Sequence, residues 1–257
     1  MAVDVIVHDR IATVTLNRPD AMNSIDPAMR SGLHAAWQRI ASDDEIRVAI
    51  ITGAGDRAFC AGADLKNTPP PAESHAALTF GDTRDHILHG LDTDKPLVCA
   101  INGHAVGAGL EIALACDIRI AATGAKFGLP EVKVGSVPGA GGTQLLPRTV
   151  GRSNAMQMLL TGELIDAETA LRWGLVSEVH DLEALRDRAR ALAERIAANA
   201  PLSVRAVKRL ASRGLDVPLP TGMEMERYVF GLLRDSEDRL EGRKAFQEKR
   251  PPEYRGR

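Results

Sequence analysis

The stretch Asn102-Gly-His-Ala-Val-Gly-Ala-Gly-Leu-Glu111 decides how the rest of the chain is read. Before it, Pro96-Leu-Val-Cys-Ala-Ile101 is an uninterrupted apolar run, the pattern of a buried strand. After it, Leu110–Cys116 is mostly apolar with one carboxylate and predicts the start of a buried helix. Gly107 and Gly109 flank Ala108 at the join, so the backbone there can lie against a ligand with no side chain intervening. Free N–H groups at a helix N-terminus attract negative charge. Glu111 therefore falls inside the first turns of a helix whose mouth can hold an oxyanion.

Upstream, Val3–Val7 and Ile11–Leu16 are short β-rich runs separated by His-Asp-Arg, the pattern of a hairpin. Asp26-Pro27 predicts a helix start, with Leu33, Ala36, Trp37 and Ile40 on its apolar face. Ile46–Thr52 is a second continuous apolar strand, and strand–helix–strand alternation implies an α/β class. Gly53-Ala-Gly-Asp-Arg-Ala58 imitates a dinucleotide fingerprint. That fingerprint needs an amphipathic helix next, whereas Phe59–Asp64 is short and small and Pro69-Pro-Pro71 soon forbids one. Pro69–Ser74 is the most linker-like stretch, followed by a predicted helix to Leu91. Downstream, Asp117–Ala122 and Ala125–Gly128 predict extended segments and Gly135–Gly142 a glycine-rich turn. Beyond Thr143 the pattern is helical almost to the end. Helices are predicted from Ile165 and over Asp181–Ala198, Pro201–Arg213, Gly222–Arg234 and Glu241–Lys249.

The chain has 257 residues, enough for one large core with an appendage. A net charge of -2 gives no electrostatic footprint for nucleic acid or an anionic membrane. Cys60, Cys99 and Cys116 are odd in number and widely spaced, which predicts reduced, buried thiols and a cytoplasmic location. Met1–Arg10 carries charge at once and does not read as a signal peptide, and no uncharged apolar run approaches a membrane span.

Two glycine-bounded segments, Ala61-Gly-Ala-Asp64 and Gly107-Ala-Gly109, each follow an apolar run and can each present one backbone N–H. Two such donors make an oxyanion hole. Either segment alone reads better as a tight turn in a small-residue core. The balance is moved by Glu111, in Leu110-Glu-Ile-Ala-Leu-Ala, and Glu131, between Phe127-Gly-Leu-Pro130 and Val132. Two glutamates in apolar settings beside two donors point to acid–base work on a polarised carbonyl, and desolvation there raises a carboxyl pKa. His86 and His89 near Asp82 and Asp85 lack the pattern of a metal site, and Ser136 is misplaced for a serine hydrolase.

Phe59-Cys-Ala-Gly-Ala-Asp-Leu-Lys66, Ile101–Glu111, Phe127-Gly-Leu-Pro-Glu131 and Pro138-Gly-Ala-Gly-Gly-Thr143 together closely resemble the enoyl-CoA hydratase (crotonase) family. The likeness runs from Leu16-Asn-Arg-Pro19 through Ala170–Val176 to Ala245–Arg250. It implies a spiral core of repeated β-β-α units over residues 1–200, then a helical region over 201–257 that builds a trimer or a hexamer. It implies that the N–H groups of Ala63 and Ala108 bind a thioester oxygen and that Glu111 and Glu131 hold a water. Lys66 and Lys249 fall where the family contacts CoA phosphate. Ala61, Gly62, Asp64, Leu65, His104, Gly107, Pro130 and Gly139 complete the expected substrate-binding set. Ala108 stands where better-known hydratases have glycine; the N–H remains, but its methyl bears on the pocket.

The implied activity is hydration of 2-enoyl-CoA, with no metal or redox cofactor and CoA arriving as part of the substrate. Within the family the alternatives are an enoyl-CoA isomerase or a carnitinyl-CoA-type dehydratase. Outside enzymes, the alternative is a non-catalytic member that binds acyl-CoA or RNA, against which the near-neutral charge and both glutamates argue.

Overall fold

The computed structural model describes residues 1–66 and 87–257. Strands β1 (Val3–His8) and β2 (Ile11–Leu16) pair antiparallel, with Val3 opposite Leu16. The turn is Asp9-Arg10, both at positive φ (51° and 64°), as a two-residue hairpin with right-handed strand twist requires. Helix α1 (Pro27–Ser42) starts where Asp26 accepts a hydrogen bond from the Met29 N–H at 2.8 Å, and Pro27 gives up no donor that the first turn would use. Its face of Met29, Leu33, Ala36, Trp37 and Ile40 is fully buried, and the Trp37 indole donates to the Ile87 carbonyl at 3.0 Å.

From there the chain alternates between two sheets. Strand β3 (Val48–Gly53) is followed by β4 (Ala58–Cys60), β5 (Leu97–Ile101) by β6 (His104–Val106), and β7 (Ile118–Ala122) by β8 (Lys126–Gly128). Strands β9 (Ile165–Asp166) and β10 (Glu178–His180) come from further along the chain. With them, the first member of each pair joins a six-stranded sheet ordered β1-β2-β3-β5-β7-β10, and the second a four-stranded sheet ordered β4-β6-β8-β9. Each pair is thus one turn of a spiral, with helix α2 (Ala108–Leu114) after the middle pair. Ala49, Ile51, Leu97, Cys99 and Ile101 face one core, packed against α1 and α2. Val48, Ile50, Val98, Ala100 and Ile120 face a second core under the helix Leu182–Ala197. Two buried faces are why these strands are apolar throughout instead of alternating.

The bend between β3 and β4 has no room for a nucleotide. Asn102 accepts from the Gly53 N–H at 2.9 Å and donates to the Gly55 and Ala58 carbonyls. Asn23 donates to the Ala54 and Ala58 carbonyls from the other side. Two fully buried amides thus fix the backbone of this bend, and the Gly53 N–H that a dinucleotide turn would turn toward phosphate is held by Asn102.

The remaining elements are α3 (Gly142–Val150), α4 (Arg152–Thr161), β9 (Ile165–Asp166), α5 (Ala167–Arg172), β10 (Glu178–His180) and α6 (Leu182–Ala197). The sequence pattern misses β9 and β10, because a strand of two or three residues has no periodicity of its own. β10 exists through its parallel pairing with Ile120–Ala122. Ile165 lies in β9, and the helix begins after Asp166, which caps it through the Thr169 N–H at 2.8 Å. The tail comprises α7 (Pro201–Gly214), α8 (Leu219–Leu232) and α9 (Glu237–Glu248); the last two begin three and four residues earlier than their apolar periodicity indicates. Lys208 ties α7 to the core through the Lys95 carbonyl and Asp117, each at 2.8 Å. The linker-like stretch, most of the helix predicted after it, His86, Asp82 and Asp85 lie outside the described residues; the described end of that helix, residues 87–90, is a turn instead. Among the described residues no helix is long and apolar enough to cross a membrane, and no group of residues could hold a metal ion.

Candidate active site

Two backbone segments meet at the heart of the spiral. The first leaves β4 as Ala61-Gly-Ala-Asp64 and is pinned by Ile25: the Ile25 N–H donates to the Gly62 carbonyl at 2.8 Å, and the Asp64 N–H to the Ile25 carbonyl at 2.9 Å. Asp64 is buried and salt-bridged at 3.2 Å to Arg18, which also reaches Asp26. The second segment is Val106–Gly109, where β6 turns into α2. Gly109 must be glycine, because a Cβ there would stand 2.1 Å from the Cys60 carbonyl oxygen. Gly62, at φ +94°, would place a Cβ 3.1 Å from the Val106 carbonyl. This contact through glycines sets the two turns side by side. The N–H groups of Ala63 and Ala108 have no acceptor among the described residues.

Glu111 is buried, and its Oε1 accepts from the Ala140 N–H at 2.6 Å and the Gly142 N–H at 2.9 Å. The glycine-rich turn before α3 therefore exists to aim two amides at this carboxylate. Gly142 itself leaves space for it, since a Cβ would fall 3.0 Å from Oε1. Glu131 opens a short 3-10 turn (Glu131–Val134) on the facing wall. Its Oε2 is buried with no hydrogen-bond partner among the described residues, and its Oε1 lies where a Gly107 Cβ would come within 3.1 Å. Burial raises the Glu131 pKa above the ordinary carboxylate value, and the negative charge of Glu111 adds to the rise.

Both glutamates line one cavity of about 490 Å³ together with Ala61, Gly62, Ala63, Leu65, Gly107, Ala108, Pro130 and Gly139. Four of the residues picked out from sequence stand off it. Asp64 serves as scaffold through Arg18. Lys66 is exposed beyond Leu65. Lys249 is exposed at the end of α9, in a left-handed conformation with φ 53°. His104 lies two residues upstream of the cavity-lining Val106, its N–H on the Arg57 carbonyl and its Nδ1 buried with no partner among the described residues. It is therefore not a pocket wall, because a strand advances roughly 3.3 Å per residue and carries it past the cavity. The wall also includes Ile25, Arg30, Ile87, Lys133, Val134 and Val137, which sequence reasoning does not single out. A larger cavity, about 840 Å³, lies between α7 and the core, and neither glutamate lines it.

A family model described as Enoyl-CoA hydratase/isomerase matches residues 7–257. The chain is 54% identical over 256 residues to the (E)-benzylidenesuccinyl-CoA hydratase of Thauera aromatica, covering all of both chains. It is 43% identical over 249 residues to the 2,3-dehydroadipyl-CoA hydratase of Escherichia coli (strain K12), covering 96% of each. Among solved structures, the enoyl-CoA hydratase from Bacillus anthracis superposes with a TM-score of 0.91 at 37% identity, with full coverage of both chains.

Proposed function

The chain belongs to the enoyl-CoA hydratase/isomerase family, and on that premise we propose that it adds water across the 2,3 double bond of a 2-enoyl-CoA thioester. The observation that carries the reading is the convergence of two unlike glutamates on one cavity beside two N–H groups that lack acceptors. The thioester oxygen is received by the Ala63 and Ala108 N–H groups. Each such donor is typically worth about 3–4 kcal/mol to the developing oxyanion. A water lies between the carboxylates. Glu111, oriented by the Ala140 and Gly142 amides, takes a proton from it as its oxygen bonds to the β carbon. The C2–C3 π electrons move toward the thioester, and Glu131 delivers a proton to the α carbon. Burial, which keeps Glu131 protonated to higher pH, suits it to that second task. Proton passage from Glu111 back to Glu131 restores the starting state. The step balances with no metal or redox group; CoA enters as part of the substrate.

The exposed apolar side chains of the tail support assembly into trimers, or pairs of trimers: Val207, Leu219, Tyr228, Phe230 and Leu232 are each 60% or more exposed. All three thiols are free and buried, which supports a reducing compartment such as the cytoplasm. The acyl groups in the relatives' names, benzylidenesuccinyl and 2,3-dehydroadipyl among them, are the first to try. The test is a panel of 2-enoyl-CoA esters followed by loss of the conjugated-thioester absorbance. Hydration of at least one ester is the expected result. A protein that hydrates none, yet moves the double bond of a 3-enoyl-CoA, is an isomerase and overturns the reading.

A further inference from the structure

The two N–H groups that face the thioester oxygen have different structures behind them. Ala108 opens α2, so its N–H is one of the unpaired donors that collect at a helix N-terminus. Ala63 has no helix behind it. It follows β4 in an extended segment that makes a single parallel bridge to Ile25. Behind Ala63 stands a series of peptide groups that ends on a cation.

That series can be followed bond by bond. A trans peptide is planar, and its C=O and N–H point in opposite directions; among the described residues no peptide bond is cis. The Gly62 carbonyl accepts from the Ile25 N–H at 2.8 Å. The N–H of that same peptide unit belongs to Ala63, so it is turned away from Ile25. The Ile25 N–H in turn shares a peptide unit with the Ser24 carbonyl, which accepts from the Arg18 guanidinium at 2.7 Å. The guanidinium is anchored by Asp26 and Asp64 at 3.2 Å each, and the Arg18 N–H donates to Asn23 Oδ1 at 2.9 Å.

We propose that Arg18 is a positioning residue for the hydration, its charge acting through the Ser24–Ile25 and Gly62–Ala63 peptides to strengthen the Ala63 N–H as a donor; this rests on the thioester placement in the hydratase reading above. A carbonyl that accepts from a cation makes the N–H of its own peptide a stronger donor, and successive bonds polarise one another. The gain is greatest when the substrate oxygen carries most negative charge, so it falls on the transition state and on kcat. A purely structural Arg18 would instead serve to neutralise Asp64, and the experiment separates the two roles.

Hydration of the enoyl-CoA that the panel selects is measured for the wild type, Arg18→Gln, Arg18→Lys and Arg18→Gln/Asp64→Asn. Beside it, the infrared stretch of the thioester carbonyl is recorded in the bound saturated acyl-CoA of the same length. The wild type should lower that stretch relative to the free ester. In Arg18→Gln, kcat should fall about 10-fold with KM nearly unchanged, less than the 10²–10³-fold cost of deleting a donor, because the N–H remains. The stretch should move back toward the free ester. Arg18→Lys keeps the charge and should recover part of both. The double variant removes the carboxylate left unpaired, so it should fold more stably than Arg18→Gln while kcat and stretch stay with the single variant. Recovery of both to wild-type values in the double variant assigns the effect to Asp64 and overturns the proposal. So does a wild-type stretch in folded Arg18→Gln, or a loss confined to KM. A wild type that hydrates no enoyl-CoA removes the hydratase reading, yet a stretch that still follows Arg18 leaves the relay standing. A wild type whose bound ester keeps the free-ester stretch overturns the relay whatever the hydration assay shows.

Discussion

Strand β3 buries Val48, Ala49, Ile50 and Ile51 between two packed layers, while helix α8 leaves Tyr228, Phe230 and Leu232 at least 60% exposed. The contrast extends to whole elements: every residue of β5 is buried, and α7 and α8 bury none. The central strands of the spiral are covered on both faces, and the tail presents apolar faces outward. The lining of the cavity ends at Ala140, so among the described residues the tail contributes nothing to it. The site and the exposed apolar faces of the tail are thus separate parts of the chain.

The strongest way to test that division is to change the site without touching the packing. Glu131→Gln keeps shape and removes the titrating proton, so hydration should fall about 10²–10⁴-fold with the circular dichroism spectrum unchanged. The pH dependence has a definite sign. Because burial raises the Glu131 pKa in the folded state, the stability linked to its protonation is present below the ordinary glutamate value and is lost as pH rises through the raised one. Wild-type hydration should fall across that same rise as the donor ionises. Glu131→Gln should match the wild type in Tm at acid pH and equal or exceed it at neutral pH. A folded Glu131→Gln protein with near-normal turnover ends the assignment.

A smaller effect comes from packing alone. Gly109→Ala puts a methyl 2.1 Å from the Cys60 carbonyl oxygen, so the junction of β4 and α2 must move. Overpacking of this kind typically costs about 1–3 kcal/mol, and backbone against backbone places it at the upper end. Because Ala108 and Glu111 lie on the same turn, activity should drop with stability in urea denaturation. Full activity together with lost stability would show that the Ala108 N–H is dispensable.

Local signals explain how much of this was legible in the sequence. The apolar run before Asn102 and the Asp26-Pro27 cap each act within a few residues, and both are present as strand β5 and the start of α1; the glycines around Ala108 mark the turn into α2, where Gly109 packs against the Cys60 carbonyl. What escaped acts across the chain. The amides that hold Glu111 come from Ala140 and Gly142, 29 and 31 residues on, and a glycine-rich turn announces a bend without saying what it faces. β10 owes its existence to β7 and to its own ion pairs, Arg188 and His180 on Glu178 at 2.7 Å. Arg30 falls off the apolar stripe of α1, and nothing near it in sequence announces the cavity that it lines together with Glu131 and Val137. Helices α8 and α9 start ahead of their apolar spacing because helices that bury so little carry no apolar signal in their first turn.

In the tail, Phe230→Ser with Leu232→Ser should lower the mass of the particle by light scattering at working concentration. The folding stability of each protomer should fall by no more than about 1–2 kcal/mol, the sum of two exposed positions and the lost contact of the Arg239 guanidinium with the Phe230 ring. A particle of unchanged mass would mean that α8 carries no contact between copies and would remove its apolar face as support for assembly.

The smallest change isolates the same question at one atom. Gly231 stands in α8 between Phe230 and Leu232, and a Cβ built there meets nothing within 4 Å. On a solvent-facing helix, Gly→Ala is worth roughly 0.5–1 kcal/mol, because alanine loses less backbone freedom on folding. Gly231→Ala should therefore stabilise the dissociated Phe230→Ser/Leu232→Ser protein by that amount in urea titrations, opposite in sign to Gly109→Ala in the core. In the wild-type background the added methyl has a second neighbour to satisfy if another copy covers α8. The gain should then shrink or reverse, and it should depend on protein concentration. A full gain in both backgrounds would show that Gly231 is bare in the assembly, and would move the contact surface off this stretch of α8.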